Sequence, residues 1–218
     1  VHGAEEVSLR VSAATGEATA MGHGGRGRFT GLPAQVAVGP EATVYERVEG
    51  VVLRVSAASF FQCGPAAAEL LVATVREACG DALTATGPFL DAYGGGGLFA
   101  ATLAPHDAIV VESSPSACAD ARANVAGARV HETPFEQWAP EAVGLVVADP
   151  ARAGLGRDAV DVLAATRAAR VVLVSCDPVA AARDASLLAA HGYRHAGATV
   201  LDLFPHTPHV EVVTRFDR

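Results

Sequence analysis

The stretch Phe89-Leu90-Asp91-Ala92-Tyr93-Gly94-Gly95-Gly96-Gly97-Leu98-Phe99 decides how the rest of the chain is read. A short apolar run ends near an acidic residue, breaks into glycines and resumes as an apolar segment. That order reads as strand, tight turn, helix. Glycines there let the backbone approach a ligand at the helix N-terminus, where open N–H groups lie. Glu112 stands 21 residues after Asp91, at the end of the next expected strand, placed to accept hydrogen bonds from a ribose diol. Dinucleotide sites and S-adenosylmethionine sites both use this plan, and Gly95, Gly97 and Ala100 satisfy G-x-G-x-x-A. Alone, the loop fits a nucleoside ligand or simply a tight turn.

Outward from this loop, strand and helix patterns alternate. Strands are expected at Phe89–Tyr93, Ala108–Val111, Arg129–His131, Leu145–Ala148 and Arg170–Val174. Helices are expected at Leu98–Ala104, Ser116–Ala126, Asp158–Ala168 and Val179–His191, with an earlier one opened by Pro65 and ending near Cys79-Gly80. Continuous Val/Leu strands separated by helices indicate an α/β fold with parallel strands covered on both faces. Ala198–Leu203 and His209–Arg215 read as a terminal hairpin. Before about Ala58 the pattern is a small antiparallel β region, with Thr15-Gly16-Glu17, Gly39-Pro40 and Glu49-Gly50 as its turns. No internal repeat or low-complexity linker is present.

Composition bounds the function classes. The chain has 218 residues, 50% hydrophobic and 18% charged, with a net charge of −8. It can bury roughly 70% of its unfolded surface, which excludes disorder. The stretches Val55–Ala68 and Ala92–Pro105, the longest free of ionisable groups, fall short of the ~18 apolar residues of a membrane span. All 16 basic residues are Arg, a better fork for phosphate than Lys. The acidic balance argues at face value against a nucleic-acid partner. Cys63, Cys79, Cys118 and Cys176 form no C-x-x-C and no zinc spacing with His, so reduced thiols in a cytosolic protein are expected. The start at Val1, without an initiator Met or signal peptide, reads as a piece of a longer protein.

Three further constellations lie at strand ends, where open α/β sheets build their sites. Asp149-Pro150-Ala151-Arg152 follows the fourth parallel strand. Asp149 there could orient a cofactor or base and Arg152 could hold phosphate, although Asp-Pro is also ordinary turn chemistry. Ser175-Cys176-Asp177-Pro178 follows the fifth. Cys176 sits beside a helix N-terminus expected to favour its thiolate, whereas Cys63, Cys79 and Cys118 read as small buried hydrophobes. His206, His209 and Glu211 cluster near the end of the chain. They lack a further ligand for a metal site. Glu211 is instead a lone acid in the apolar run Val210-Glu211-Val212-Val213, suited to a general base or to an outward-facing strand position.

Taken in order, these segments resemble the RNA 5-methyluridine methyltransferase family. The matching pieces are Ser59-Phe60-Phe61-Gln62, Asp91-Ala92-Tyr93 with its glycines, Val111-Glu112, Asp149-Pro150-Ala151-Arg152-Ala153-Gly154, Val174-Ser175-Cys176-Asp177-Pro178 with Arg183-Asp184, and Asp202 to Glu211. The resemblance runs from about residue 59 to the C-terminus. It implies a β-rich, RNA-facing region at 1–58 and, at 59–218, a Rossmann-like class I methyltransferase sheet ending in an antiparallel hairpin. It further implies S-adenosylmethionine as cofactor, a tRNA or rRNA partner and no resident metal. Gln62, Tyr93, Glu112 and Asp149 would contact the cofactor, Cys176 would be the nucleophile and Glu211 the base.

The chemistry requires those types. A thiolate added to C6 of uracil makes C5 nucleophilic enough to take a methyl group. A base then removes the C5 proton so that the thiol can leave. The target base has to be flipped out or unpaired. The chain departs from the family's pattern at Gly94, where Cys is usual, at Leu98, where Asn is frequent, and at Ala151, which replaces a second Pro. The family's frequent N-terminal barrel and iron–sulfur cysteines are not within these residues; either they precede Val1 in a longer protein or the protein lacks them. A Rossmann enzyme on another acceptor, nicotinamide-dependent or not, is one alternative. An RNA- or cofactor-binding domain without turnover is the other. RNA affinity despite the net charge would come from a local patch of Arg26, Arg28, Arg152 and Arg183, with weak, salt-dependent binding.

Overall fold

A computed structural model describes residues 1–25, 27–62, 64–103, 107–207 and 209–218. Arg26 of the expected basic patch, Cys63, the expected helix end at Ala104 and Pro208 of the C-terminal motif lie outside the described residues. The large sheet contains β6 (Phe89–Ala92), β7 (Ala108–Glu112), β8 (Arg129–Glu132), β9 (Leu145–Ala148), β10 (Arg170–Ser175), β11 (Arg194–Leu201) and β12 (Glu211–Asp217). Its order is β11-β12-β10-β9-β6-β7-β8. Strands β8, β7, β6, β9 and β10 run parallel, and β12 is antiparallel to both β10 and β11. The chain steps outward from β6 to β8 and then returns to β9 on the other side of β6. That reversal opens a crevice beyond the carboxyl ends of β6 and β9.

The strands are apolar on both faces because both are covered. Phe89, Val110, Leu145, Val147, Val172 and Val174 point into one core, shared with Leu71, Val72 and Val75 of α1 (Pro65–Cys79). Their neighbours Leu90, Ile109, Val111, Val146, Val171 and Leu173 point into the other. That second core holds Val160 and Leu163 of α4 (Gly156–Ala165) and Leu188 of α5 (Pro178–Ala190). The short α2 (Leu98–Leu103) and α3 (Pro115–Asn124) complete the first layer. Among the described residues no helix is long and apolar enough to cross a membrane.

The expected C-terminal hairpin is present, but β11 begins at Arg194 rather than near Ala198. Its His-Ala-Gly-Ala segment carries a register shift between His195 and Gly197, which erased the alternation that marks a strand. The N-terminal β region is mixed rather than purely antiparallel. β1 (Glu6–Val11) pairs antiparallel with β2 (Ala18–His23), and β3 (Val36–Val38) joins β2 in parallel. β4 (Thr43–Val48) and β5 (Val51–Ser56) form a separate hairpin. Its turn residues Glu49 and Gly50 both have positive φ, as a two-residue hairpin turn requires. Val48 and Leu53 of this hairpin are buried in the same core as α1.

Candidate active site

The crevice is built by four strand ends. Within β6, the buried Asp91 accepts a hydrogen bond from the Ala100 N–H at 2.9 Å, which ties the strand end to α2 across the glycine loop. Burial pushes the Asp91 carboxyl well above the usual carboxylate range, and its second oxygen has no partner. Tyr93 adopts a left-handed φ of 59°, and its hydroxyl donates to Glu136 at 2.6 Å. A Cβ on Gly94 would lie 2.7 Å from Val110 Cγ1 and 2.9 Å from Asp91 Cγ. The loop therefore lies closer to β7 than a side chain at Gly94 would allow without a shift of its neighbours. Glu112 ends β7 and binds the loop directly. It accepts the Gly95 N–H at 3.0 Å on one oxygen and the Ser113 and Ser114 N–H groups, each at 2.7 Å, on the other.

On the other side of the switch point, Gln62 Nε2 donates to Asp149 Oδ2 at 3.4 Å. Burial, reinforced by the charge of Glu211, raises the Asp149 carboxyl to about 7. Glu211 opens β12, is buried, and is itself raised by desolvation. Ser175 of β10 pairs with Val212 of β12, so Cys176 and Glu211 are the next residues along that register. The positive charge of the Arg152 guanidinium acts on the Cys176 thiol and works to lower its pKa. Gln62, Asp149, Glu211, Cys176 and Arg152 thus form one cluster, while Tyr93 and Glu112 stand at the glycine loop along the same sheet edge.

The expectation for the Cys176 thiol needs correction. Its pKa is raised, first by burial and then by Glu211, and the Arg152 guanidinium only partly offsets both. The N-terminus of α5 does not favour the thiolate because Asp177 occupies it. The Asp177 side chain accepts the Val179 and Ala180 N–H groups at 2.9 Å each.

Arg183 and Asp184 hold the Asp149–Arg152 turn in place. Asp184 is fully buried and accepts the Leu155 and Gly156 N–H groups at 2.7 and 3.1 Å. Arg183 bonds both Asp184 and the Ala153 carbonyl. Gly154 has a φ of 73°, and a Cβ there would meet Asp184 Oδ2 at 2.3 Å. Arg183 is thereby committed to the turn that presents Arg152. Among the described residues no group of three His, Cys, Asp or Glu could hold a metal ion. A cavity of about 280 Å³ lined by Leu83, Pro88, Phe89 and Asp107 opens at the other end of β6, away from these residues.

Sequence reasoning passed over Asp120 and Asn124, which bind β5 and the glycine loop from α3. Their signal was available: two polar side chains at i and i+4 share one face of an otherwise Ala-rich helix.

No family model matches the chain. It is 39% identical over 183 residues to an uncharacterized RNA methyltransferase of Streptomyces coelicolor, covering 78% of this chain and 39% of the relative. An uncharacterized RNA methyltransferase of Lactiplantibacillus plantarum is 33% identical over 193 residues, covering 82% and 42%. The chain is similar to these RNA methyltransferases over about four fifths of its own length. It spans about two fifths of the length of these relatives. Among solved structures, the Pyrococcus abyssi tRNA (uracil-54, C5)-methyltransferase in complex with S-adenosyl-L-homocysteine superposes with a TM-score of 0.77 at 28% identity. That match covers 95% of this chain and 58% of the Pyrococcus chain. The N-methyltransferase NodS of Bradyrhizobium japonicum, at 16% identity and a TM-score of 0.58, shares the fold alone.

The raised Asp149 carboxyl gives a stability prediction with a definite sign. A folded pKa of about 7 against a reference of 3.8 means a contribution fully present below about 3.8 and lost as pH rises through 7. Asp149→Asn mimics the protonated form. Its melting temperature should pull ahead of the wild type's as pH rises from about 4 to about 7 and hold that lead above it, by about 2–4 °C for each kcal/mol recovered. A wild-type-to-variant difference that is flat with pH would place Asp149 in the ordinary carboxylate range.

Proposed function

We propose that the chain transfers a methyl group from S-adenosylmethionine to C5 of a uridine in tRNA or rRNA. The observation that carries this reading is the meeting of Cys176 and Glu211, in register at the ends of β10 and β12, beside Gln62 and Asp149. The glycine loop fits the cofactor. Nothing lies within 4 Å of a Cβ placed on Gly95, so the loop leaves open space there, and the Glu112 carboxylate stands beside it to receive ribose hydroxyls. Gln62, Tyr93, Glu112 and Asp149 are the residues assigned to hold it, within a methyltransferase domain at 59–218 that follows the β region of 1–58. When bound, S-adenosylmethionine supplies an electrophilic methyl group on a sulfonium centre.

The chain's own residues supply the rest. The Cys176 thiolate forms an Sγ–C6 bond, which places the electron pair on the C5–C4–O4 enolate, and Arg152 balances the thiolate's charge before attack. C5 then takes the methyl group and becomes tetrahedral, carrying both methyl and proton. Glu211 accepts that proton, the C5=C6 bond re-forms and the Sγ–C6 bond breaks. A sulfur nucleophile and one buried carboxylate account for the bonds made and broken at C6 and for the C5 proton, and the methyl group's former S–CH3 bond would break to leave S-adenosylhomocysteine.

Incubation with methyl-labelled S-adenosylmethionine and unmodified tRNA or rRNA, followed by digestion to nucleosides, should place the label in 5-methyluridine. Label recovered only in another nucleoside would overturn the assignment of C5 as acceptor.

A further inference from the structure

Asn124, the last residue of α3, spends its whole carboxamide on two backbone segments that the sequence sets far apart. Its Oδ1 accepts the Arg54 N–H at 2.7 Å. Its Nδ2 donates to the Arg54 carbonyl at 3.0 Å and to the Gly96 carbonyl at 2.8 Å. One N–H and two carbonyls fix which end of the amide is which. Among the described residues β5 has β4 as its only strand partner, so Asn124 acts as a one-residue strand on the other edge of β5. One turn earlier the fully buried Asp120 accepts the Ser56 N–H and hydroxyl at 2.8 Å each and the Ser59 hydroxyl at 2.6 Å, and it pairs with Arg54. The polar face of α3 is therefore clamped to β5. Ser59 leads directly into Phe60-Phe61-Gln62, and Arg10 of β1 donates to the Ser59 carbonyl at 2.7 Å.

We propose that Asn124 is a positioning residue for the cofactor: it holds the glycine loop in its receiving shape, with β5 as the support. The inference rests on reading that loop as the S-adenosylmethionine site. Four consecutive glycines have more conformational freedom to lose than any other tetrapeptide. Fixing the Gly96 carbonyl fixes the peptide plane between Gly96 and Gly97. The Gly97 N–H then reaches the Gly94 carbonyl at 2.8 Å, and the Gly95 N–H stays on Glu112. Without the Nδ2 donor the loop is free to leave that arrangement, and binding has to restore it. The same contact joins the loop to the β region, so a strain imposed on β5 reaches the cofactor through one side chain.

The test is calorimetric binding of S-adenosylhomocysteine to the wild type, Asn124→Ala, Asn124→Asp and Ser56→Ala, each with a melting temperature. Asn124→Asp keeps the acceptor for Arg54 and sets an oxygen against the two carbonyls. Ser56→Ala loosens the Asp120 clamp without touching the loop. Both Asn124 variants should bind about tenfold or more weakly, a shift of about 1.4 kcal/mol, while Ser56→Ala stays within about twofold even at an equal loss of melting temperature. In turnover the Asn124→Ala KM for S-adenosylmethionine should rise with kcat nearly unchanged. Wild-type affinity in folded Asn124 variants overturns the inference, as does an equal loss in Ser56→Ala. Absence of binding by the wild type overturns the cofactor reading itself, which keeps the two failures distinct.

Discussion

Replacing Cys176 by Ala is expected to abolish covalent capture of 5-fluorouridine-substituted RNA, and to lower methyl transfer to uridine by on the order of 10⁴-fold or more. Fluorine at C5 cannot leave as a proton would, so the Sγ–C6 bond that forms with the wild type persists and shows as a protein–RNA band on denaturing gels. Cys79 and Cys118 cannot substitute. Both are buried, and burial holds their thiols up at about 12 and about 11. The pH dependence follows from the raised Cys176 thiol. A thiol held above its ordinary value is mostly protonated at neutrality, so the capture rate should climb as pH rises from neutrality into the alkaline range. A capture rate flat over that range would mean that the thiolate is already formed at neutral pH. A residual adduct in Cys176→Ala would move the nucleophile elsewhere. Ala at this half-buried position removes one sulfur from a strand end, so the variant should retain its fold, which a melting curve checks directly.

What was legible in the sequence was what local pattern encodes. Val171 to Val174 read as a strand buried on both faces because alternate residues feed two different cores, and β6, β7 and β9 repeat that pattern. The positions of Asp149 and Cys176 followed, since each is the first residue after such a run, and Asp91 as the acid next to the end of β6. Strand β2, with its Ala-Thr-Ala-Met-Gly-His sequence, has no β-branched alternation to announce it and forms because β1 and β3 flank it. The state of Cys176 was illegible for a different reason. Proximity to a helix N-terminus is local, but Asp177 takes the N–H groups there and Glu211 arrives from a strand more than thirty residues on. Asp120 and Asn124 escaped because their partners lie at Arg54, Ser56 and Gly96, separations that no periodicity records. The acidic net charge was the least informative feature. It is spread over a surface on which Arg183 is committed to a turn while the charge of Arg152 acts on the Cys176 thiol.

Glu211→Gln is expected to separate the two halves of the reaction. Glutamine keeps the size of the side chain at the buried start of β12 but has no lone pair basic enough to take the C5 proton. Attack by Cys176 and methylation of C5 do not need that proton to leave; release does. Multiple turnover should therefore fall by about 10²–10⁴-fold, while a stoichiometric, methyl-labelled protein–RNA adduct accumulates on ordinary uridine RNA, where the wild type shows none at steady state. Burial raises the Glu211 carboxyl, which makes its carboxylate a stronger base but also keeps it protonated to higher pH. Wild-type release should accordingly slow as pH falls through that raised value, and this limb should vanish in Glu211→Gln. The same substitution removes the negative charge that lifts both Asp149 and Cys176. Capture of 5-fluorouridine RNA by Glu211→Gln should hence reach a given rate at lower pH than in the wild type, the opposite of what general damage to the site would do. Unimpaired turnover would take Glu211 out of the reaction. Loss of capture without accumulation would make Glu211 a support for the Cys176 strand end rather than the base.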